Sequence, residues 1–380
     1  MNPKSRTRFA GFAAVIALTT WAVVHYARNP EPGSSSAFHS PVPKGPCEGL
    51  ANEFAALLRK TEERASEEDE TKISQMVHAL VDGNDQIGCK TRILSDAEKP
   101  PSCGRVYRAM MTSVFASKAA SPRNIDRLLT FAPVDCQNIV LFLFPYLTDV
   151  DDGLAKTVQR MALSDSSSDR RRYAWAGLGT LAGVAREKKD LPLVQQMDNL
   201  ILNHLTSATS EEDRVALLEA AGNGGCEGCA KTLQHATEDD SPAVRRVGVG
   251  AFRFLASKLS VDIMCNALEQ DADASVREQA AWSLRFQSTF ADNRIDCLIR
   301  AAANDASKIV RPAAVRSLGT LGKTFVRARS ALVHLTGPQV SDDTREIARE
   351  IVVDLRDLLR NDDPAVLHSA SRADAGKPTR

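Results

Sequence analysis

Two cysteines three residues apart, Cys226-Glu227-Gly228-Cys229, carry the sharpest local signal for chemistry in this sequence. A pair at this spacing that opens a helix can act as a redox dithiol, because the positive end of the helix favours the thiolate. It can also supply half of a zinc site, with His235 the nearest further ligand, or close as a disulfide that clips a turn. Haem attachment is excluded because Ala230 stands where the histidine would have to be. There is no second pair at this spacing and no strand–helix–strand pattern around it, so the structural clip is the favoured reading and no metal site is expected. The other cysteines are Cys47, Cys89, Cys103, Cys136, Cys265 and Cys297. Cys89 and Cys103 flank the loop "KTRILSDAEKPPS" and form a second candidate disulfide. Cys265 and Cys297 occupy equivalent places in successive repeats, where helices lie about 8–10 Å apart. A disulfide needs Cα atoms within about 7 Å, so these two are expected to be core residues. A Gly-rich phosphate loop, a His-Glu-x-x-His helix and a Gly-x-Ser-x-Gly elbow are all missing from the sequence. His78 and His204 lie in apolar helical stretches, where hydrogen-bonded structural histidines are the rule.

The elements that position these cysteines repeat. Aligned on one short phrase, units start at Arg170, Asp213, Val244, Val276, Val310 and Thr344, at intervals of 43, 31, 32, 34 and 34 residues. The next residue is arginine each time: Arg171, Arg214, Arg245, Arg277, Arg311 and Arg345. Small or apolar residues follow four and eight positions after each start, as Ala280 and Leu284 follow Val276. That spacing defines one helical face. Asp165, Asp239, Asp271 and Asp305 stand five residues before their starts, whereas Ala208 and Gln339 occupy that place in two units. "DDSPAV" offers Asp240 or Ser241 as a cap with Pro242 in the first turn, and Ser210 caps the acidic "EED". A second apolar stretch such as "VDIMCNAL" closes each unit. Two helices recurring every 31–34 residues predict an all-α fold, an α-solenoid of stacked hairpins.

"EDDSPAVRRVGVGAFRFLA", "EQDADASVREQAAWSLRF" and "ANDASKIVRPAAVRSLGTLG" resemble HEAT repeats, of the short kind found in phycobilin lyases. The resemblance runs from about Ser164 to Leu359. It implies an arginine–aspartate ladder, with Arg245, Arg277 and Arg311 bonded to Asp239, Asp271 and Asp305 of their own or adjacent units, broken where the aspartate is lacking. It also implies that second helices line a concave binding side. "LLEAAGNGGCEGCAKTL" is similar to a turn in vitellogenin-like lipid carriers, but those carriers hold lipid in large sheets that nothing downstream here can build.

Charge and composition set the remaining expectations. Lysine plus arginine equals aspartate plus glutamate at 48 each, so no overall field draws the chain to nucleic acid. Lys4, Arg6 and Arg8 precede the uncharged run Phe9 to Val24, which reads as an export signal and, with no good cleavage site, as a retained membrane anchor in residues 1–28. Sixteen helical residues rise only about 24 Å, so cleavage remains the alternative. A Pro/Ser/Gly tether occupies 29–46, then helical residues 47–163 without the arginine phrase, read as degenerate repeats or a cap. The HEAT-like array occupies 164–360, and residues 361–380 are polar enough to form a disordered tail. Eight cysteines beyond the hydrophobic run suit an oxidising compartment, periplasmic or cell-surface.

The expected function is that of a non-catalytic extracytoplasmic scaffold that binds a protein partner and needs no cofactor. The binding residues would be those of the later second helices, Arg294, Arg300, Arg327, Arg329 and His334, which alternatively serve only to keep the array soluble. The rival is a HEAT-like lyase, or a thiol-disulfide oxidoreductase using Cys226 and Cys229.

Overall fold

The computed structural model describes residues 46–61, 66–81, 121–132, 134–165, 167–255, 257–287 and 291–361. The Phe9–Val24 run, Cys89, Cys103 and the polar tail after Asn361 lie outside the described residues. Among those described, all regular structure is helix, and no helix is long and apolar enough to cross a membrane. The described residues fall into two compact units that divide between Met197 and Asp198.

The first unit holds α1 (Pro46–Lys60), α2 (Glu67–Val81), α3 (Pro122–Phe131), α4 (Val134–Phe142), α5 (Asp152–Ser164) and α6 (Ser168–Glu187). Side-chain caps start several of these: Ser121 accepts from the Asn124 N–H ahead of Pro122, and Asp151 accepts from the Leu154 N–H at 2.8 Å. Such caps satisfy one of the four orphan N–H groups at a helix start and are each worth about 1 kcal/mol. Helix α3 packs on α5, α4 on α6, and α5 on α6, so the helices before Ser164 pack on one another and on the helix that carries the first arginine phrase. At the α1–α3 contact a buried polar knot replaces that phrase. Arg127 grips Glu70 through Nε at 2.9 Å and Nη2 at 2.7 Å, while Nη1 reaches Thr61 and Asn124.

Helix α7 (Leu191–Ser207) crosses the division. The second unit then runs α8 (Glu211–Gly224), α9 (Ala230–Ala236), α10 (Pro242–Ala251), α11 (Lys258–Gln270), α12 (Ala274–Leu284) and α13 (Ala291–Asn304). It closes with α14 (Val310–Gly322), α15 (Val326–His334), α16 (Asp342–Asp354) and α17 (Arg356–Asn361). First helices pack in the series α8, α10, α12, α14, α16, and second helices in the series α11, α13, α15. The phrase positions explain why. Val244, Val276, Val310 and Thr344 are buried, as are Ala280, Ala314 and Ala348 four residues on, and Leu284 and Leu318 eight on. Each fully buried Val or Leu stabilises by about 1.5–3 kcal/mol. Small residues set the distance between layers: a Cβ on Gly222 would stand 2.6 Å from the Cα of Ala251, so α8 and α10 meet backbone to backbone. Gly225 ends α8 at φ 63°, the left-handed conformation that costs glycine nothing.

The repeated arginine spans neighbouring repeats. Nη1 of Arg245, Arg277 and Arg311 donates to the main-chain oxygen of the aspartate five residues before its own start, at 2.8–2.9 Å. The rest of the guanidinium bonds the carboxylate of the following repeat. Arg245 holds Asp271 through Nε and Nη2 at 2.9 and 3.0 Å, and Arg277 holds Asp305 at 2.8 and 3.2 Å. Arg214 likewise donates to Asp239. Each aspartate also accepts the N–H two residues on, as Asp271 does from Asp273 and Asp305 from Ser307. In the loop before α10 this local bond comes from Ser241, whose own side chain makes no capping bond.

The resemblance predicts a break at the unit with Gln339, and the ladder instead continues there. Arg311 donates to Asp343 at 2.7 Å, because a carboxylate one residue before the start reaches the place usually filled from five residues before. Asp343 is held well below its ordinary value, to about 2, first by the Ser341 hydroxyl and then by Arg311 and the Thr344 N–H. In the first unit the Asp165 carboxylate pairs with Arg170 at 2.7 Å, and Arg171 takes only its main-chain oxygen.

Candidate interaction face

The second helices carry polar side chains open to solvent. Lys231 and Gln234 are exposed on α9, Asp262, Asn266 and Glu269 on α11, and Arg300 on α13, while Arg327 and His334 are half-buried on α15. Arg300 reaches back to Glu269 through Nε at 3.1 Å, and Arg327 reaches back to Asp296, with Asp292 3.7 Å away. Both contacts join a residue to one 31 positions earlier, so the repeat period runs through this layer too. Glu269 with Arg300 and Asp296 with Arg327 are thus paired between neighbouring helices. Exposed pairs of this kind contribute about 0.2–1 kcal/mol each. They leave a face of alternating charge with no single sign.

Two of the residues expected on this face are not on it. Arg294 is 1% exposed and its guanidinium lies 5.0 Å over the Phe325 ring. Arg329 is 7% exposed and donates Nη1 to the Gly322 oxygen at 2.6 Å, closing the C-terminal end of α14. The sequence placed them by their helix alone. Each in fact stands on the side turned toward the neighbouring helix, and a long arginine stem packs there as readily as an apolar chain. Glu269, Asp296, Arg300, Arg327 and His334 are brought together on one layer.

The cysteines are also placed. Cys226 and Cys229 are joined by a disulfide with Cα atoms 5.3 Å apart, and both are essentially buried, at 1% and 0% exposure. The bond spans the short 3-10 turn Glu227–Cys229 between α8 and α9. A thiolate attacking this bond must reach a sulfur that the surrounding helices cover, which is the environment of an inert structural bridge. Cys265 and Cys297 correct the sequence expectation. They too form a disulfide, between α11 and α13, with Cα atoms 5.8 Å apart. The interaxial spacing of packed helices does not bar the bond, because two positions that face each other across a seam can bring their Cα atoms closer than the axes. Cys136 is disulfide-bonded as well. Among the described residues no group of three or more His, Cys, Asp or Glu side chains is arranged to hold a metal ion.

One cluster had no signal in the sequence beyond its composition. At the ends of α10 and α12, Arg285 stacks on Trp282 at 3.7 Å and on Phe286 at 4.7 Å, and Phe286 meets Phe254 edge-on. Burial lowers Arg285 to about 9. Next to it, Gln287 donates to the main-chain oxygens of Phe252, Arg253 and Leu255, sealing the preceding repeat's helix end. Arg253 closes the same turn through Asn223 and the Gly250 oxygen.

Comparison with known proteins agrees with this architecture. The family described as HEAT repeats matches residues 199–285 and again 261–352. No curated protein matches the chain. A crystal structure of an engineered protein is 15% identical over 53% of this chain and 96% of its own, with a TM-score of 0.35, a superposition that adds nothing to the assignment. The stacked two-helix units, their buried phrase and the family match agree: residues 199–352 match the HEAT-repeat family and fold as a HEAT-like stack of two-helix units.

Proposed function

We propose that this protein is a non-catalytic scaffold, held outside the cytoplasm by its Phe9–Val24 segment, that binds a protein partner on the face formed by its second helices. HEAT repeats in general are protein-interaction modules, because stacked units present an extended surface. The observation that carries the finer reading is the division of labour between the two layers. The repeated arginines Arg245, Arg277 and Arg311 and their aspartates are engaged in holding repeats together, whereas Lys231, Gln234, Asp262, Asn266 and Arg300 of the second helices are open to solvent. A mixed, paired polar face suits another protein's polar surface better than a polyanion or a lipid bilayer. The thiol-redox rival loses its support where the Cys226–Cys229 sulfurs are shielded.

The test is capture of a partner by the full chain and by the double variant Arg300→Glu, Arg327→Glu. Reversal at both sites opposes Glu269 and Asp296 with like charge, so the melting temperature should fall by about 2–4 °C, with the helical signal unchanged. Capture should weaken at least tenfold. Capture at wild-type strength by the folded variant would remove the second-helix face as the binding surface.

A further inference from the structure

Four arginines among the described residues are at least nine-tenths buried, and three of them have oxygen acceptors. Arg127 has Glu70, Arg253 has Asn223 and the Gly250 oxygen, and Arg329 has the Gly322 oxygen. Arg294 differs. It is 1% exposed, and its Nε and Nη1 are buried without a hydrogen-bond partner. Its one charge-related contact is the face of Phe325. A ring face returns much less to a cation than its desolvation costs.

The surroundings make the site more positive. Arg294 sits in the first turn of α13, where the aligned peptide dipoles already favour an anion. Phe325 is the N-cap of α15 and supplies no side-chain bond to it, so a second helix N-terminus opens beside the same guanidinium. The nearby carboxylates serve elsewhere: Asp296 receives Arg327, and Asp292 is exposed 3.7 Å from Arg327. Burial lowers Arg294 only to about 10, so it stays charged at neutral pH.

We propose that Arg294, with the uncapped N-terminus of α15 beside it, is a receptor for an oxyanion, a carboxylate or phosphate group, that enters between α13 and α15. Such a group would give the unpaired guanidinium nitrogens the acceptors that the fold withholds, in a charge-assisted contact. It would also meet the Val326 and Arg327 amides that open α15, ahead of the Ala328 N–H that already donates to the Phe325 oxygen, the usual complement of an anion at a helix start. The site does not depend on which protein binds the second-helix face.

The experiment is calorimetry on the full chain at fixed ionic strength, with chloride replaced stepwise by acetate or by inorganic phosphate. The expected result is a saturable rise in melting temperature, about 5 °C at a hundredfold excess over Kd. A response to acetate alone assigns a carboxylate, and a response to phosphate alone a phosphate group. Arg294→Met should abolish the response and should itself melt higher than the parent in chloride, because it removes a buried unpaired charge. Arg294→Gln serves if the Met variant does not fold. Arg329→Met, which strips the acceptor-bound arginine nearby, should melt lower and keep the response. The proposal is overturned if both anions behave as chloride does, or if the response survives in the Arg294 variants.

Discussion

Arg277 holds the Asp305 carboxylate of the following repeat through Nε and Nη2, and with Nη1 it holds the main-chain oxygen of Asp271 in its own repeat. One side chain thus fixes the turn it belongs to and the distance to the next unit. The Asp305 side chain is 8% exposed and that of Arg277 15%, so water screens the contact little. The Asp305 carboxylate holds Arg277 above the usual arginine range.

Removing one partner of such a pair leaves the other charge uncompensated, which is more damaging than losing the pair. Arg277→Ala should therefore lower stability in chemical denaturation by about 2–4 kcal/mol. Arg300→Ala, which breaks an exposed pair with Glu269, should cost less than about 1 kcal/mol. Equal losses would mean that the ladder is not what the repeated arginine is for.

Asp343 makes the ladder pH-sensitive at its last rung. Its folded value of about 2 lies below the ordinary 3.8, so its stabilisation is complete above about pH 4 and is lost as the pH falls through 2. Asp343→Asn should be less stable than the parent at pH 5, and the gap should close by pH 2. Nuclear magnetic resonance titration of the Asp343 carboxyl checks the value directly. A gap that is constant between pH 5 and pH 2 would show that this carboxylate is not held in its charged form.

Much of this fold is legible in the sequence because a solenoid writes its contacts periodically. Val276, Ala280 and Leu284 recur at fixed spacing since every repeat buries the same face, and Arg277 recurs because every seam needs the same bond. Periodicity does not say which carboxylate is spatially close: Asp343 substitutes from another register, and only the structure places it. Nor does it give the rotation of a helix about its axis. That is why Arg294 and Arg329 share a helix with the expected face but not the face itself, and why Cys265 and Cys297 meet. The Arg127–Glu70 knot is illegible for a plainer reason. Its residues come from three helices and follow no repeat.

The two described disulfides should differ in how readily they are reduced. Cys226 and Cys229 are both shielded, whereas Cys265 is half-buried and Cys297 fully buried. A thiolate reductant can reach Sγ of Cys265, form a mixed disulfide there and release Cys297 as the thiol, a second thiolate then freeing Cys265. Differential alkylation and mass spectrometry during a dithiothreitol titration should show Cys265 and Cys297 labelled at reductant concentrations that leave Cys226 and Cys229 linked. Labelling of the Cys226 pair first, or of all four together without unfolding, would contradict the burial argument.

The address of the protein can be tested without knowing its partner. Lys4, Arg6 and Arg8 precede the Phe9–Val24 run and only Arg28 lies close behind it, an asymmetry from which the proposed address follows: the leading end is expected to stay in the cytoplasm and the downstream chain to cross the membrane. On that proposal the Cys265–Cys297 and Cys226–Cys229 bonds would lie in an oxidising compartment, where disulfides persist. A reporter active only outside the cytoplasm, fused after Arg380, should be active in cells. Replacing Lys4, Arg6 and Arg8 by glutamate should reduce that activity, because the basic leading end sets the orientation. Membrane fractionation then separates anchor from cleaved signal: a retained segment keeps the fusion in the membrane at full length, and cleavage releases a shorter soluble form. A fusion active only when the reporter is a cytoplasmic one would place the repeats in the cytosol. The two disulfides would then have to form against the glutathione pool.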